Sequence, residues 1–488
     1  MSFQTNLFIN GKYVPSSSGE TITIYSPNND SLFTDKVQGA SEQDVDAAVA
    51  AAKAAFPTWR ALAAHKRAAI MLKFADLLEK NTSRLADLES RAMGQPVAVA
   101  KRMILGSVAV WRYYAGYAGK VAGESYPPDE DGTYKIVQYD PLGVCAGICA
   151  WNASHVLAAW KLAPAVAAGN TFVLKSSEKS PVALAQYGDL LNEAGFSPGV
   201  INVVAGDGKV GNLLASHMEI AKIAFTGSAA AGKAVQVAAA KSNLKKVTLE
   251  LGGKSPALIF EDADLENAVL HSSDSFLRNS GQICFAASRV LVQESIAPDF
   301  IKAVKVAFDD ASKKMGDPSL EETAFGPLAD KKQFERVTGL LRDGKAEGIE
   351  ILVGGERKGE KGTFVEPAVL LNPSLNSKLY RDEIFGPVIV VRTFKDEEEA
   401  IKLANDTTYG LGSSIYTSDI ARALRVAGQI EAGTVGINSA FATNPHTPFG
   451  GWKQSGYGRE SGLEGIKNYL QAKTIHINLT LKPKKSQP

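Results

Sequence analysis

A chain of 488 residues, 45% apolar and 22% charged, is too long for one ordinary core and is expected to form two or three domains. Its 53 Lys and Arg balance 52 Asp and Glu to a net charge of +1, a field too weak to steer nucleic acid or an anionic membrane. Three cysteines, Cys145, Cys149 and Cys284, make no disulfide framework and speak for a reducing compartment.

The opening residues show no basic segment leading into an apolar one, so no signal peptide is expected and the expected location is the cytoplasm. Leu7–Ile9 and Thr21–Ile24 are short strand-like runs, separated by Asn10-Gly11 and a polar stretch, as hairpins require. At Ser41-Glu42-Gln43-Asp44 a capping-box pattern opens an alanine-rich helix, and Leu62 to Ala92 and Pro96 to Ala118 repeat apolar residues at helical spacing. Gly123 to Gly132 then breaks the pattern before 133–139 alternates as a strand, which predicts an arm-like hairpin at about 121–140.

From 143 to 251, strands predicted at 144–150, 171–174, 200–204, 223–225 and 247–251 alternate with helices near 156–168, 181–194, 209–217 and 229–240. Such alternation predicts a doubly wound parallel sheet, with ligands beyond the carboxyl ends of its strands, where Asn152, Lys175, Gly227 and Glu250 fall. The first of these strands opens the most apolar window, 144–169, but Asn152, His155, Lys161 and Pro164 interrupt it, so it fails as a membrane span. A second α/β block, about 252–451, has strands near 256–260, 288–293, 388–393 and 411–416 and a helix at 396–406 with an acidic opening. An alternating strand at 473–479 and a basic tail close the chain, and no internal repeat is found.

Two glycine-rich turns look like phosphate loops. Gly206-Asp207-Gly208-Lys209-Val210-Gly211 fits the dinucleotide fingerprint as a pattern but does not follow the first strand of its block, so a plain strand-to-helix turn is the simpler reading. Gly227 to Ala234 nearly fits a P-loop, yet Ala234 stands where a hydroxyl must reach magnesium, which argues against nucleotide hydrolysis. Its N–H groups and Ser228, at a helix N-terminus, still offer a seat for a pyrophosphate.

The segment Arg278 to Arg289 sets Cys284 among small and polar residues just before a strand. A thiol of ordinary pKa about 8.5 needs a polar, partly open setting or a helix N-terminus to gain thiolate character, and Ser280 and Gly281 permit the turn. Alone, Cys284 reads as a small buried apolar residue. Glu250-Leu251-Gly252-Gly253-Lys254 shifts that balance by supplying a carboxylate at a strand end and two glycines that let backbone come close.

Together these motifs resemble the aldehyde dehydrogenase superfamily over nearly the whole chain: Trp151-Asn152, Lys175 to Glu178, Phe225-Thr226-Gly227-Ser228 with Gly232, Glu250 to Lys254, Gly281 to Cys284, Glu383 to Pro387 and Pro448 to Gly456. The resemblance implies a hydrolytic, NAD-dependent enzyme in which Cys284 attacks the aldehyde, the Asn152 amide and the Cys284 N–H hold the oxyanion, and Glu250 activates water against the thioester. It further implies Lys175 and Glu178 at the adenine ribose, Ser228 at the pyrophosphate, and Glu383 with Phe385 at the nicotinamide riboside; Trp151, Gly208, Phe225, Gly227, Gly232 and Leu251 complete the expected cofactor set. Glu178 favours NAD, because a carboxylate accepts from ribose hydroxyls and repels a 2′-phosphate; Lys175 leaves NADP use open.

The chain departs from many members in following Asn152 with Ala153-Ser154-His155. Ala153, Trp160, Ile283, Phe285 and Phe449 are the expected substrate tunnel, with no obvious charged anchor, which predicts an apolar or aromatic aldehyde; His155 is read as a local structural histidine. No metal site is expected. The implied layout is a Rossmann-like cofactor domain (1–120 and 141–251), a doubly wound catalytic domain (252–455) and a small β oligomerisation arm (121–140 and 468–488) that builds a homodimer or homotetramer. The rival readings are a CoA-acylating relative, which would normally lack Glu250, a non-redox thiol esterase, which would need a histidine beside Cys284, and a structural protein retaining only the fold.

Overall fold

The structure, a computed structural model, describes residues 3–480; the basic tail and the last residues of the expected arm, 481–488, lie outside the described residues. Among the described residues the strands assemble into sheets of eight, seven, three and two. The eight-stranded sheet is built on five parallel strands, Val144–Ile148, Thr171–Ser176, Ile201–Ala205, Lys222–Thr226 and Lys246–Glu250. The first three lie side by side, and the chain then crosses to the other side of Val144–Ile148 for the last two. The order therefore reverses between Val144–Ile148 and Lys222–Thr226, which makes their carboxyl ends the place for a ligand crevice.

Continuous burial of Val144–Ile148, Ile201–Ala205 and Lys222–Thr226 follows from helices on both faces of the sheet. Helix Ser154–Ala167 is buried at all of its positions, so it is apolar around its whole circumference, apart from Ser154, His155 and Lys161. Antiparallel pieces close the two edges. One is the hairpin Leu7–Ile9 and Lys12–Val14, whose Asn10 and Gly11 both have positive φ as a two-residue turn demands, and the other is Gly456–Tyr457, a return of the chain from the second block.

The seven-stranded sheet runs Glu350–Val353, Ala368–Leu371, Val388–Phe394, Arg289–Gln293, Pro256–Ile259, Gly412–Tyr416, Thr434–Ile437, parallel except at the first pair. Three of its strands, at 350, 368 and 434, do not figure in the sequence expectation. The hairpin strands Glu124–Tyr126 and Thr133–Pro141 are joined by Leu470–Asn478, which pairs with Thr133–Pro141 along its whole length.

Two predicted helices are each interrupted. The run from 62 to 92 becomes Ala64–Lys80 and Thr82–Met93, because the Asn81 side chain donates to Leu77 O (2.8 Å) and its backbone leaves the helical region. The run at 181–194 becomes Val182–Ala185 and Tyr187–Ala194, with the Gln186 amide bonded to Val182 O and Gln4 O at the join. The capping box at Ser41 is present, with reciprocal bonds between Ser41 and Asp44.

Candidate active site

Cys284 is delivered by a turn of unusual backbone. Asn279, Ser280 and Gly281 have φ of 52°, 56° and 71° in succession. Left-handed geometry costs a residue with a side chain roughly 1–2 kcal/mol, so the surroundings must hold it. Ser280 Oγ donates to Gly326 O (2.6 Å), the Gln282 amide donates to Asn279 O (2.9 Å), and Gln282 Oε1 accepts from Ala329 N (3.0 Å). A Cβ on Gly281 would sit 2.2 Å from Gly386 O, and one on Gly253 would sit 2.4 Å from Cys284 O. Both positions admit only glycine, and both clamp the backbone of the nucleophile.

Asn152 follows the strand Val144–Ile148 and faces this turn. Its Nδ2 donates to Gln282 O (3.0 Å), while its backbone oxygen accepts from Asn279 Nδ2 (3.0 Å) and Gln95 Nε2 (3.2 Å). The amide carries two hydrogens; one anchors it to the Cys284 turn and the other is left to donate. Gln95, Asn279 and Gln282 are absent from the sequence expectation, although two of them lie within the singled-out segment.

Glu250 ends the last parallel strand of its sheet and is buried, and among the described residues no donor meets either carboxyl oxygen in hydrogen-bond geometry. Burial, then the nearby Glu460 carboxylate, pushes its pKa up to about 8, against the lowering influence of the Cys284 thiol and Lys161. The Lys161 ammonium beneath it bonds Glu460 (2.8 Å) and Thr226 (2.6 Å). Burial, followed by the carboxylates of Glu250 and Glu383, drives the Cys284 thiol well above its ordinary value. Cys284 is half-buried, as a partly open setting requires, but it lies in a turn and not at a helix N-terminus, and the charged groups nearest it are carboxylates, which raise its pKa. The cavity that holds it, of about 320 Å³, is lined by no histidine, so the pairing an esterase would need is not made there.

The expected cofactor residues divide into those facing open space and those shaping it. Trp151, Gly227, Ser228, Leu251, Glu383 and Phe385 share the Cys284 cavity. Ser228 caps helix Ala229–Lys241, whose first turn carries no acid, and accepts from Ala231 N (3.3 Å). Glu383 accepts from Gly253 N (3.1 Å), and burial raises its pKa to about 7. Phe385, held at φ 60°, meets Trp151 edge-on with ring centres 5.2 Å apart. Lys175 is buried, bonded to Ser176 O (2.8 Å) and 3.9 Å from the exposed Glu178 carboxylate.

Phe225 and Gly232 stand behind this surface. Phe225 is core, and a Cβ on Gly227 would lie 2.6 Å from its ring; a Cβ on Gly232 would lie 2.5 Å from Leu251. Gly208 opens helix Gly208–Ser216 with nothing within 4 Å of a would-be Cβ, so no steric demand for glycine exists there. An acid-free helix N-terminus, glycines at the closest approach and the exposed Glu178 carboxylate past the neighbouring strand fit a dinucleotide.

Of the expected tunnel, Ala153, Trp160, Ile283 and Phe285 line the cavity. Phe449 does not: it is buried behind Trp160 (5.2 Å) and Phe285 (5.7 Å) and stiffens them. The sequence reading lacks Met103 and Phe441, which line the route onward, Phe441 stacking on Phe285 at 4.8 Å. His155 bonds Tyr187 Oη (2.9 Å) under the site, and burial lowers its pKa to about 3. Among the described residues no acid, His and Cys cluster is arranged to hold a metal, and no helix is long and apolar enough to cross a membrane.

The sequence model of the aldehyde dehydrogenase family matches residues 13–475. An aldehyde dehydrogenase of Emericella nidulans is 43% identical over 476 residues, covering 97% of this chain and 95% of that protein. The NAD+ complex of an aldehyde dehydrogenase from Bacillus cereus superposes with a TM-score of 0.95 at 40% identity, covering 98% of this chain and 97% of that one. An NADP-dependent enzyme of E. coli superposes equally well, TM-score 0.95, at 36% identity and 98% coverage of both chains. With sequence and fold agreeing from end to end, the chain belongs to the aldehyde dehydrogenase family, the NAD(P)-dependent oxidoreductases of aldehydes.

Proposed function

We propose that the chain oxidises an apolar or aromatic aldehyde to its carboxylic acid, with Cys284 as nucleophile, Asn152 and the Cys284 N–H as the oxyanion hole, and Glu250 as general base. The observation that supports this reading best is the convergence of the three groups on one cavity, with the Asn152 amide tied to the Cys284 turn and the Glu250 carboxyl against the thiol. Because acids lie near Cys284, its thiolate forms only as its proton leaves for solvent; Glu250, unpartnered and raised toward neutrality, is kept for the later step. The oxyanion of the resulting tetrahedral adduct meets donors that are already oriented, a contribution of roughly 3 kcal/mol each by oxyanion-hole precedent. When bound, the dinucleotide supplies the oxidation by accepting hydride, which no side chain here can do. Glu250 then draws a proton from the water that cleaves the thioester.

NAD is the preferred cofactor in this reading, since the Glu178 carboxylate accepts from ribose hydroxyls and opposes a 2′-phosphate. Residues 1–120 and 141–251 serve as the cofactor domain and 252–455 as the catalytic domain. The three-stranded sheet of 124–141 and 470–478 leaves Tyr126, Tyr139 and Ile477 exposed, which supports its use as an arm between subunits of a homo-oligomer. Three free thiols support a reducing compartment, the cytoplasm.

The test is NADH formation with a panel of apolar aldehydes. Cys284→Ala is expected to abolish it while NAD still binds; aldehyde oxidation retained by that variant would refute the mechanism.

A further inference from the structure

A second cavity, of about 490 Å³, continues outward from the Cys284 chamber, sharing Met103, Val156, Trp160, Ile283, Phe285 and Thr443 with it. Its middle is apolar and aromatic. Its charged lining residues, Arg102 and Arg278, are both cationic, and no Asp or Glu lines it. The two arginines are not equivalent. Arg278 lies 3.5 Å from Asp274, which offsets part of its charge, whereas Arg102 has no carboxylate partner and no hydrogen bond among the described residues. Arg102 projects from helix Val97–Ala115, where Val99, Met103 and Gly106 face the same cavity, so its guanidinium stands at the outer part of a wall whose inner part reaches the Cys284 chamber. Gly106 adds no side chain to this wall, and a Cβ there would meet only Val156, at 3.9 Å. The reacting end holds Glu250, Glu383 and Arg336, and the other end carries the unpaired Arg102 cation.

We infer that Arg102 determines specificity by selecting aldehydes with an apolar or aromatic body and an anionic group, a carboxylate, at the end remote from the aldehyde. The inference rests on the proposed role of Cys284 and refines the substrate class of that same site. A guanidinium offers paired N–H donors that match a carboxylate, and its place in the outer cavity, away from the Cys284 chamber, holds such a substrate with its aldehyde inward. The chain is not without a charged anchor, as its tunnel motifs alone suggest; the anchor comes from a distant helix.

The experiment compares ω-formyl alkanoates and formylaryl carboxylates of increasing length with their methyl esters, reading kcat/KM for each acid and ester with NAD on the wild type, Arg102→Gln and Arg102→Lys. For at least one length the wild type should favour the acid by about tenfold, the scale of one charge-assisted hydrogen bond near solvent. Arg102→Gln should bring the ratio to about one, mainly through KM, and Arg102→Lys should restore part of it. A wild type that favours the ester at every length, or a ratio unchanged by Arg102→Gln, would overturn the inference while the ester turnover upholds Cys284 chemistry. Absence of NADH from every acid and ester would overturn both.

Discussion

In the proposed mechanism the pKa of Glu250 sets how kcat responds to pH, and it can be moved without touching the carboxylate itself. Burial first and Glu460 second push it to about 8. The carboxylate that must accept the water proton is then about one tenth of the total at pH 7 and about nine tenths at pH 9, so a deacylation-limited kcat should rise about tenfold across that interval. Glu460→Gln removes the nearby negative charge, keeps an oxygen for Lys161 and leaves the Lys161 cation to stabilise the Glu250 carboxylate. The sign is therefore downward: the rising limb should move about one unit to lower pH. The assay is kcat against pH from 6 to 10, with kcat/KM recorded alongside because deprotonation of Cys284 enters that parameter. Glu250→Gln should remove the limb from kcat. A flat wild-type profile, or a limb unmoved by Glu460→Gln, would refute the assignment of the base.

Gly281→Ala should cost at least about 1–2 kcal/mol from left-handed backbone alone, and the clash with Gly386 O should displace Cys284, so activity should fall more than thermal stability; the reverse would mean the turn is not a clamp. Replacing Glu178 by Ser should shift the NADP-to-NAD ratio of kcat/KM toward NADP by about tenfold or more, as a charge-assisted bond is lost and a repulsion removed; an unchanged ratio would mean that Glu178 does not read the ribose. Glu89, buried and bonded to Ser154 (2.8 Å), has its pKa raised to about 8 by burial. A raised folded value means that its stabilising contribution is complete below the ordinary carboxyl range and is lost as pH climbs through about 8. Glu89→Gln should flatten Tm against pH over that window, and an equally steep profile in the variant would contradict it.

The parallel strands were legible because burial on both faces leaves continuous apolar runs such as Val144–Ile148 and Ile201–Ala205, and the strand-ending position of Glu250 follows from the same pattern. Strand Glu350–Val353 was not, since only part of its surface is covered and it opens with an acid. The break at Asn81 depends on one side-chain bond, which periodicity averages away. At the site, Asn152, Glu250 and Cys284 stood in local motifs, but what perturbs them arrives from far along the chain: Glu383 and Glu460 near the acids, Gln95 under Asn152, Arg102 at the far cavity. Phe449 was misplaced for a related reason, since an aromatic residue near a tunnel motif can line the space or, as here, support the rings that do. The turn around Cys284 is polar in its own sequence, while the carboxylate of Glu383, which also raises the thiol pKa, comes from about a hundred residues further along the chain.

The central claim is that Cys284 carries the acyl group and Glu250 releases it. Glu250→Gln mixed with NAD and an apolar aldehyde, quenched in acid and digested, should yield the Cys284 peptide with the mass of the acyl group added, in an amount equal to a single burst of NADH. A burst without that adduct, or no burst from a variant that still binds NAD, would contradict it.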